Sequence, residues 1–169
     1  QRGNETDDLI LYVYRGGSSK SLKAVKAITL NTWQYFSVTI TPSGVATIYK
    51  NGIQIAQDSG SGYVPNNVDR YTNYVGGSHW SQDKLFQGQM ADLSVWNRAI
   101  SADDVRSAYT SGLQGNENGL VQLYRLGNLQ SGGNNPKGEN VTGEVKPVIS
   151  TTDALPMQRP MNFDGRTNY

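Results

Sequence analysis

The dipeptide Asn51-Gly52, set between the β-rich runs 45–50 and 53–56, limits the folds open to this chain more than any other feature. Asn and Gly both accept the positive φ angles of a two-residue type I′ turn, and that turn joins adjacent antiparallel strands. A two-residue loop pairs Lys50 with Ile53 and Ile48 with Ile55. Opposite residues in such a ladder share a face, so Ile48, Ile53 and Ile55 are expected in the core, with Tyr49 and Gln54 pointing away.

The flanking sequence repeats the theme. Residues 9–14 (Leu-Ile-Leu-Tyr-Val-Tyr) form an apolar β-rich run that stops at the turn-forming Arg15-Gly16-Gly17-Ser18, and a shorter strand is expected near 22–28. From Trp33 to Ile40 the alternation places Phe36, Val38 and Ile40 on one face and Tyr35, Ser37 and Thr39 on the other. Residues 58–74 are polar and turn-rich, a long loop. Between 89 and 97, Ala91, Leu93 and Val95 alternate inward, leaving Met90, Asp92, Ser94 and Trp96 on the opposite side.

One helix follows. Ser101 is an N-cap, Asp104 sits at N3 near the positive helix end, and Ile100 and Val105 occupy the two positions of a hydrophobic staple. Val105, Ala108 and Tyr109 make its apolar stripe and Gly112 its stop. A last strand is expected over 119–126. The fold class is therefore all-β, an antiparallel β-sandwich with one short helix after the Trp96 strand.

Composition agrees and excludes several functions. With 36% hydrophobic residues, 19 Gly and 10 Tyr in 169 residues, many short strands joined by turns fit better than a helix bundle. A net charge of +1 with scattered Lys and Arg marks no polyanion groove, so nucleic acid is not a partner, and no apolar run is long enough for membrane insertion. The absence of Cys removes a disulfide framework and thiol catalysis without excluding secretion. Gln1 stands ahead of a strand with no initiating Met, which reads as a piece of something longer.

Taken in order, these motifs resemble the laminin-G-like, concanavalin-A-like jelly roll of the pentraxin-related group. A Trp-led strand precedes Tyr49-Lys50-Asn51-Gly52. Then come Val75-Gly76-Gly77, Phe86-Gln87-Gly88 and Trp96-Asn97-Arg98-Ala99-Ile100-Ser101, the pattern that leads into the helix of such domains. The resemblance covers roughly residues 1–126. It also exposes a departure: the Phe-Asp-Gly segment with a following Tyr, which belongs to the first strand of such domains, appears here last, as Phe163-Asp164-Gly165 and Tyr169. The organisation expected is a LamG-like sandwich over 1–127 lacking its first strands, a linker or long surface segment over 128–160, and over 161–169 the first strand of a following repeat, or a permuted strand of the same domain. Tandem repeats are favoured. A sandwich short of a central strand leaves backbone donors and acceptors unpaired, so a neighbouring repeat or chain is expected to complete the sheet.

The related sandwich enzymes hydrolyse polysaccharides with two carboxylates across a cleft. The four Glu residues, Glu5, Glu117, Glu139 and Glu144, all fall in expected loops, and His79 is the only His, with no Gly-x-Ser-x-Gly elbow. No catalytic residues are assigned. Calcium is the one cofactor the resemblance raises: Asp7 and Asp8 precede the first strand where the pentraxin pattern places an acidic or amide pair, and Asp83 lies in the loop that supplies the remaining ligands. Ser78, His79 and Trp80 occupy the positions of the acidic run that would complete a double site, and they are poor hard-cation ligands.

For ligand contact, Tyr63, Tyr71, Tyr74 and Trp80 cluster in the loops flanking the Gly-Gly turn, beside Asn73 and Gln82. Aromatic faces stack on sugar rings and amides bond hydroxyls. For any one of these residues the commoner role is to pin a long loop to the sheet. The reading is a non-catalytic recognition or adhesion module, extracellular or at the cell surface, whose partner is a glycan or an extracellular protein. The rival is an architectural repeat that assembles with neighbouring chains by strand complementation, and a polysaccharide hydrolase fragment is disfavoured.

Overall fold

A computed structural model describes residues 6–69, 73–77, 83 and 86–125, and the backbone of 148–149 and 161–164. The described elements are strands in antiparallel ladders, joined by turns, with a single α-helix. They fall into two compact units, residues 1–68 with 98–113, and residues 69–97 with 114–169.

In the first unit β1 (Leu9–Arg15) pairs with β2 (Ser18–Ala24), and β3 (Phe36–Ile40), β4 (Val45–Lys50) and β5 (Ile53–Ser59) form a second sheet in that order. The two sheets share one core. Val13, Leu22 and Ala24 from the hairpin meet Ala46 and Ile48 of β4, Ala27 and Tyr63 seal it, and Leu9, Leu11, Phe36, Ile40 and Ala56 pack around them. The inward set on β1 is thus Leu9, Leu11 and Val13, leaving Ile10, Tyr12 and Tyr14 on the other face of the strand.

The Asn51-Gly52 turn forms as its residues require, with φ of 51° and 79°. Its strands, however, do not keep the simple register. Lys50 pairs with Ile53 and Tyr49 with Gln54, but a bulge then sets Ile48 opposite Ala56 instead of Ile55. The extra residue brings Ala56 instead of Ile55 to the core beside Ile48, leaving Ile55 exposed. Ile53, ahead of the bulge and still opposite Lys50, is exposed as well, and Tyr49 is buried on the other face of β4. The expectation for Ile53 and Ile55 is corrected accordingly, while Tyr49 points away from the core as expected but is covered on that face. Both faces of β4 are covered, and the directly opposite pair Thr39 and Thr47 is buried on the face away from the core.

On the core side of β3, Phe36 and Ile40 pack as expected, but Val38 is 44% exposed. Among the described residues β3 is an edge strand of its sheet, and a cleft of about 320 Å³ opens beside it, lined by Leu9, Ile10, Leu11, Tyr12, Val38 and Ile48. Val38 faces inward over a core that is open on this flank.

The helix α1 (Ala102–Ser111) also belongs to this unit and follows its sequence signals. The Ser101 hydroxyl accepts the Asp104 N–H at 3.1 Å while the Asp104 carboxylate accepts the Ser101 N–H, a closed capping box. Ile100 and Val105 are buried as a staple requires, and Val105 and Ala108 form the buried stripe. Tyr109 is partly exposed, its ring tilted against Tyr35 with centroids 6.0 Å apart.

In the second unit β6 (Gln87–Met90), β7 (Leu93–Trp96), β8 (Leu120–Tyr124), β9 (Val148–Ile149) and β10 (Met161–Asp164) make two small sheets, β6-β10-β9 and β7-β8. The run expected as one strand over 89–97 is broken in two, because Asp92 takes a positive φ of 49° and ends the alternation. Val95 lies opposite Gln122 and is exposed, contrary to its expected inward place, because Ser94 is the residue that faces the buried Leu123; Trp96 is half-buried with its indole N–H on the Ser94 hydroxyl. The Phe163-Asp164 segment, expected to open a following repeat or to serve this domain, pairs in this chain with β6, Phe163 opposite Gly88 and Asp164 opposite Gln87. Most of the expected linker, 128–160, lies outside the described residues.

Candidate functional site

The residues singled out for ligand contact part company in the structure. Tyr63 closes a single 3-10 turn (Ser61–Tyr63) and is fully buried, so it presents no ring to a ligand. Its hydroxyl lies 2.9 Å from the Ser21 carbonyl and 2.9 Å from Asp58 Oδ2, and the Lys20 ammonium stands 4.5 Å from its ring centroid. Burial, aided by the Asp58 charge, pushes the Tyr63 hydroxyl up to about 12. Tyr63 pins its loop to the sheet, the other of the two roles its sequence allowed.

Asn73 and Tyr74 lie in the second unit and are exposed, Tyr74 at 43%. The loop that begins after them is closed by the Phe86 N–H donating to the Gly76 carbonyl at 2.7 Å. Tyr71, Trp80 and Gln82 lie outside the described residues.

Of the acids raised for calcium, Asp8 is buried and employed. Its Oδ1 accepts the Lys26 N–H at 2.8 Å, Oδ2 is 3.6 Å from the Lys23 ammonium, and its own N–H donates to the Thr6 hydroxyl. The Lys26 N–H above all, with Thr6 and Lys23, holds this carboxyl below the usual range against the opposing effect of burial. Lys26 itself has a positive φ of 51°, so Asp8 fastens the tight turn that leaves β2. Asp7 accepts the Ile28 N–H on its main-chain carbonyl, and Asp83 is half-buried in the other unit. Among the described residues no group of three or more His, Asp or Glu side chains could hold a metal ion.

Other carboxylates are used in the same way. Asp58 is held low by the Ser59 N–H, the Tyr63 hydroxyl and Lys20, and Asp104 by its cap contacts to Ser101 and by Arg98. Glu117 receives the main-chain N–H groups of Gln114 and Gly115; burial raises its proton affinity, but these bonds and Arg125 outweigh it. Asp92 is the exception. Burial pushes it up against the pull of Arg125, 3.8 Å away. Arg125 thus acts on two carboxylates of opposite tendency, among the described residues the one arrangement that resembles an acid and base pair. Both oxygens of Glu117 are already taken by its own loop, which is the work of a loop brace.

A feature that the sequence reading passed over lies on β1. Tyr12 and Tyr14 point away from the core, 42% and 56% exposed, with near-parallel rings whose centroids are 6.1 Å apart. The signal was present as Tyr at i and i+2 in a strand whose intervening residues are core.

The laminin-G-type family model described as Concanavalin A-like lectin/glucanases superfamily matches residues 2–106, well over half of the chain. The chain belongs to this superfamily. The matched residues contain the antiparallel sheets and shared core of the first unit. A solved structure, that of an S-layer domain-containing protein from Clostridium thermocellum, is similar at 19% identity over 61% of this chain, with a TM-score of 0.42. The match covers 52% of that structure, so this chain spans about half its length. No curated protein matches the chain. Among the described residues no helix is long and apolar enough to cross a membrane.

Proposed function

We propose that this concanavalin A-like domain is a non-catalytic, extracellular recognition module whose ligand is a glycan. The observation that carries the non-catalytic half is the employment of its carboxylates: Asp8, Asp58, Asp104 and Glu117 each accept main-chain N–H groups that fix a turn, a strand end, a helix cap or a loop. A group spent in this way is poorly placed to move a proton to a glycosidic oxygen. The glycan half is supported by exposed aromatic and amide side chains, Tyr74 and Asn73 of the second unit among them. An array of glycans probed with and without chelator tests it, and silence in both conditions overturns it. Release of reducing sugar from any polysaccharide overturns the non-catalytic half. A protein ligand would show as capture of an extracellular protein by a chain that ignores the array.

The open flank beside β3 favours a second reading, an architectural domain whose sheet is completed by a strand from a neighbouring repeat or chain. An exposed Val38 over an open core is the surface such a strand would cover. Light scattering tests it: a monomer at every concentration, in the intact chain and in longer pieces of the same polypeptide, counts against this reading.

A further inference from the structure

We propose that the outer face of the β1–β2 hairpin is a binding platform for a neutral, pyranose-containing oligosaccharide, with the rings of Tyr12 and Tyr14 as its stacking surface and the hydroxyls of Ser19 and Ser21 as its polar rim. This deepens the glycan reading above and rests on it.

The register builds the platform. Residues two apart on a strand share a face, and residues directly opposite in an antiparallel pair share it too, with Cβ atoms about 5 Å apart. Tyr12 lies opposite Ser21 and Tyr14 opposite Ser19. Two aromatic rings and two hydroxyls therefore occupy adjoining positions on one face, and both serines are exposed. Leu9, Leu11, Val13, Leu22 and Ala24 take the opposite face into the core, so the tyrosines cannot turn inward without displacing it.

The chemistry of the ligand follows from what the face offers and what it withholds. Rings 6.1 Å apart and 25° from parallel leave no room for a third ring between them, so a partner must lie on their outward surface. The cations of the two strands are already engaged. Arg15 donates to Asn66 Oδ1 and the Ser61 carbonyl, Lys20 to the Ser59 carbonyl and Asp58, and Lys23 pairs with Asp8. What remains is aromatic surface beside uncharged hydroxyls. An anionic sugar would find no uncommitted cation from these strands, and a purely apolar partner would bury the serine hydroxyls without a return. A pyranose ring supplies both needs, an apolar C–H face for the tyrosines and equatorial hydroxyls for Ser19 and Ser21.

The test uses the intact chain on an array of neutral and acidic oligosaccharides of defined linkage, followed by calorimetry with the neutral oligosaccharide that binds best. Tyr12→Ala and Tyr14→Ala should each weaken binding about ten-fold, and the double variant more. Tyr12→Phe and Tyr14→Phe keep the rings and should stay within about three-fold of the parent. Both tyrosines are exposed and outside the core cluster, so each variant should melt with the parent protein, which separates loss of contact from loss of fold. If the parent binds a neutral oligosaccharide and the double alanine variant binds it equally well, the platform is wrong and the glycan reading stands, with Tyr74→Ala the next variant. If the parent binds only acidic sugars, the platform falls. If it binds none, both fall.

Discussion

Replacing Tyr63 by Phe removes a single oxygen from a ring that is fully buried, and the consequence follows from the two acceptors around it. One phenolic proton faces both the Ser21 carbonyl and Asp58 Oδ2, each at 2.9 Å. A hydrogen bond to a charged acceptor contributes about 1.5–3 kcal/mol. Asp58 keeps the Lys20 ammonium at 3.2 Å and its side chain is 49% exposed, so the loss belongs at the lower end, about 1.5 kcal/mol. Tyr63→Ala also empties the space of the ring and should cost about 3–5 kcal/mol. Urea unfolding followed by tryptophan fluorescence measures both, and pH supplies an independent check. Tyr63 holds its proton up to about 12 in the folded chain, against 10.0 for an ordinary tyrosine. The folded state binds this proton more tightly, so its contribution is complete below pH 10 and is lost as pH rises toward 12. The parent should therefore lose stability over that interval more steeply than Tyr63→Phe. The reasoning fails if the Phe variant lies within about 0.5 kcal/mol of the parent at neutral pH, or if the two alkaline limbs coincide.

Removing the cap by Ser101→Ala should cost about 1 kcal/mol, and Asp104→Ala in the Ser101→Ala background should cost less than it does alone, since the two form one reciprocal box; additive losses would refute it. Gly44→Ala drives a Cβ into the Gly60 carbonyl oxygen at a φ of +84°, whereas at Gly16, φ +51°, nothing lies within 4 Å. The Gly16 variant should lose about 1 kcal/mol and the Gly44 variant at least twice that, and equal thermal shifts would show that the close approach does not matter. Asp8 has a lowered proton affinity, so its contribution is present above about pH 4 and is lost as the pH falls below that; Asp8→Asn should flatten the acid limb of the stability curve. That variant should be equally impaired in chelator and in added calcium, and a calcium-dependent difference would place a metal at Asp8 after all.

How far the fold could be read from the sequence depends on how local the controlling physics is. The Asn51-Gly52 turn, the Ser101 cap and the Ile100-Val105 staple are set by residues within five positions of one another, and each stands where it was expected. Alternation in the hairpin strand after Gly52 failed for a reason no period-2 pattern carries. A bulge at Ile55 adds one residue to one side of a ladder, and only the pairing partner reveals it. Asp92 failed in the same manner, a single positive φ dividing a run whose apolar spacing reads as one strand. Tyr63 was a choice between surface and core that its own neighbours in sequence could not make, because its two acceptors, Ser21 and Asp58, come from different strands.

The platform on β1 was hidden for the opposite reason. In Leu9-Ile10-Leu11-Tyr12-Val13-Tyr14 every residue favours a strand and most favour burial, so the sequence reads as one apolar run without distinguishing its faces. The distinction is made by β2. Its Leu22 and Ala24 join the core beneath Leu9, Leu11 and Val13, while Ser19 and Ser21 stand across from the tyrosines. At the pairs Tyr12–Ser21 and Tyr14–Ser19 this hairpin turns exposed aromatic and hydroxyl groups away from the core that Leu9, Leu11, Val13, Leu22 and Ala24 join, and those two pairs are where variants can alter binding without altering the fold.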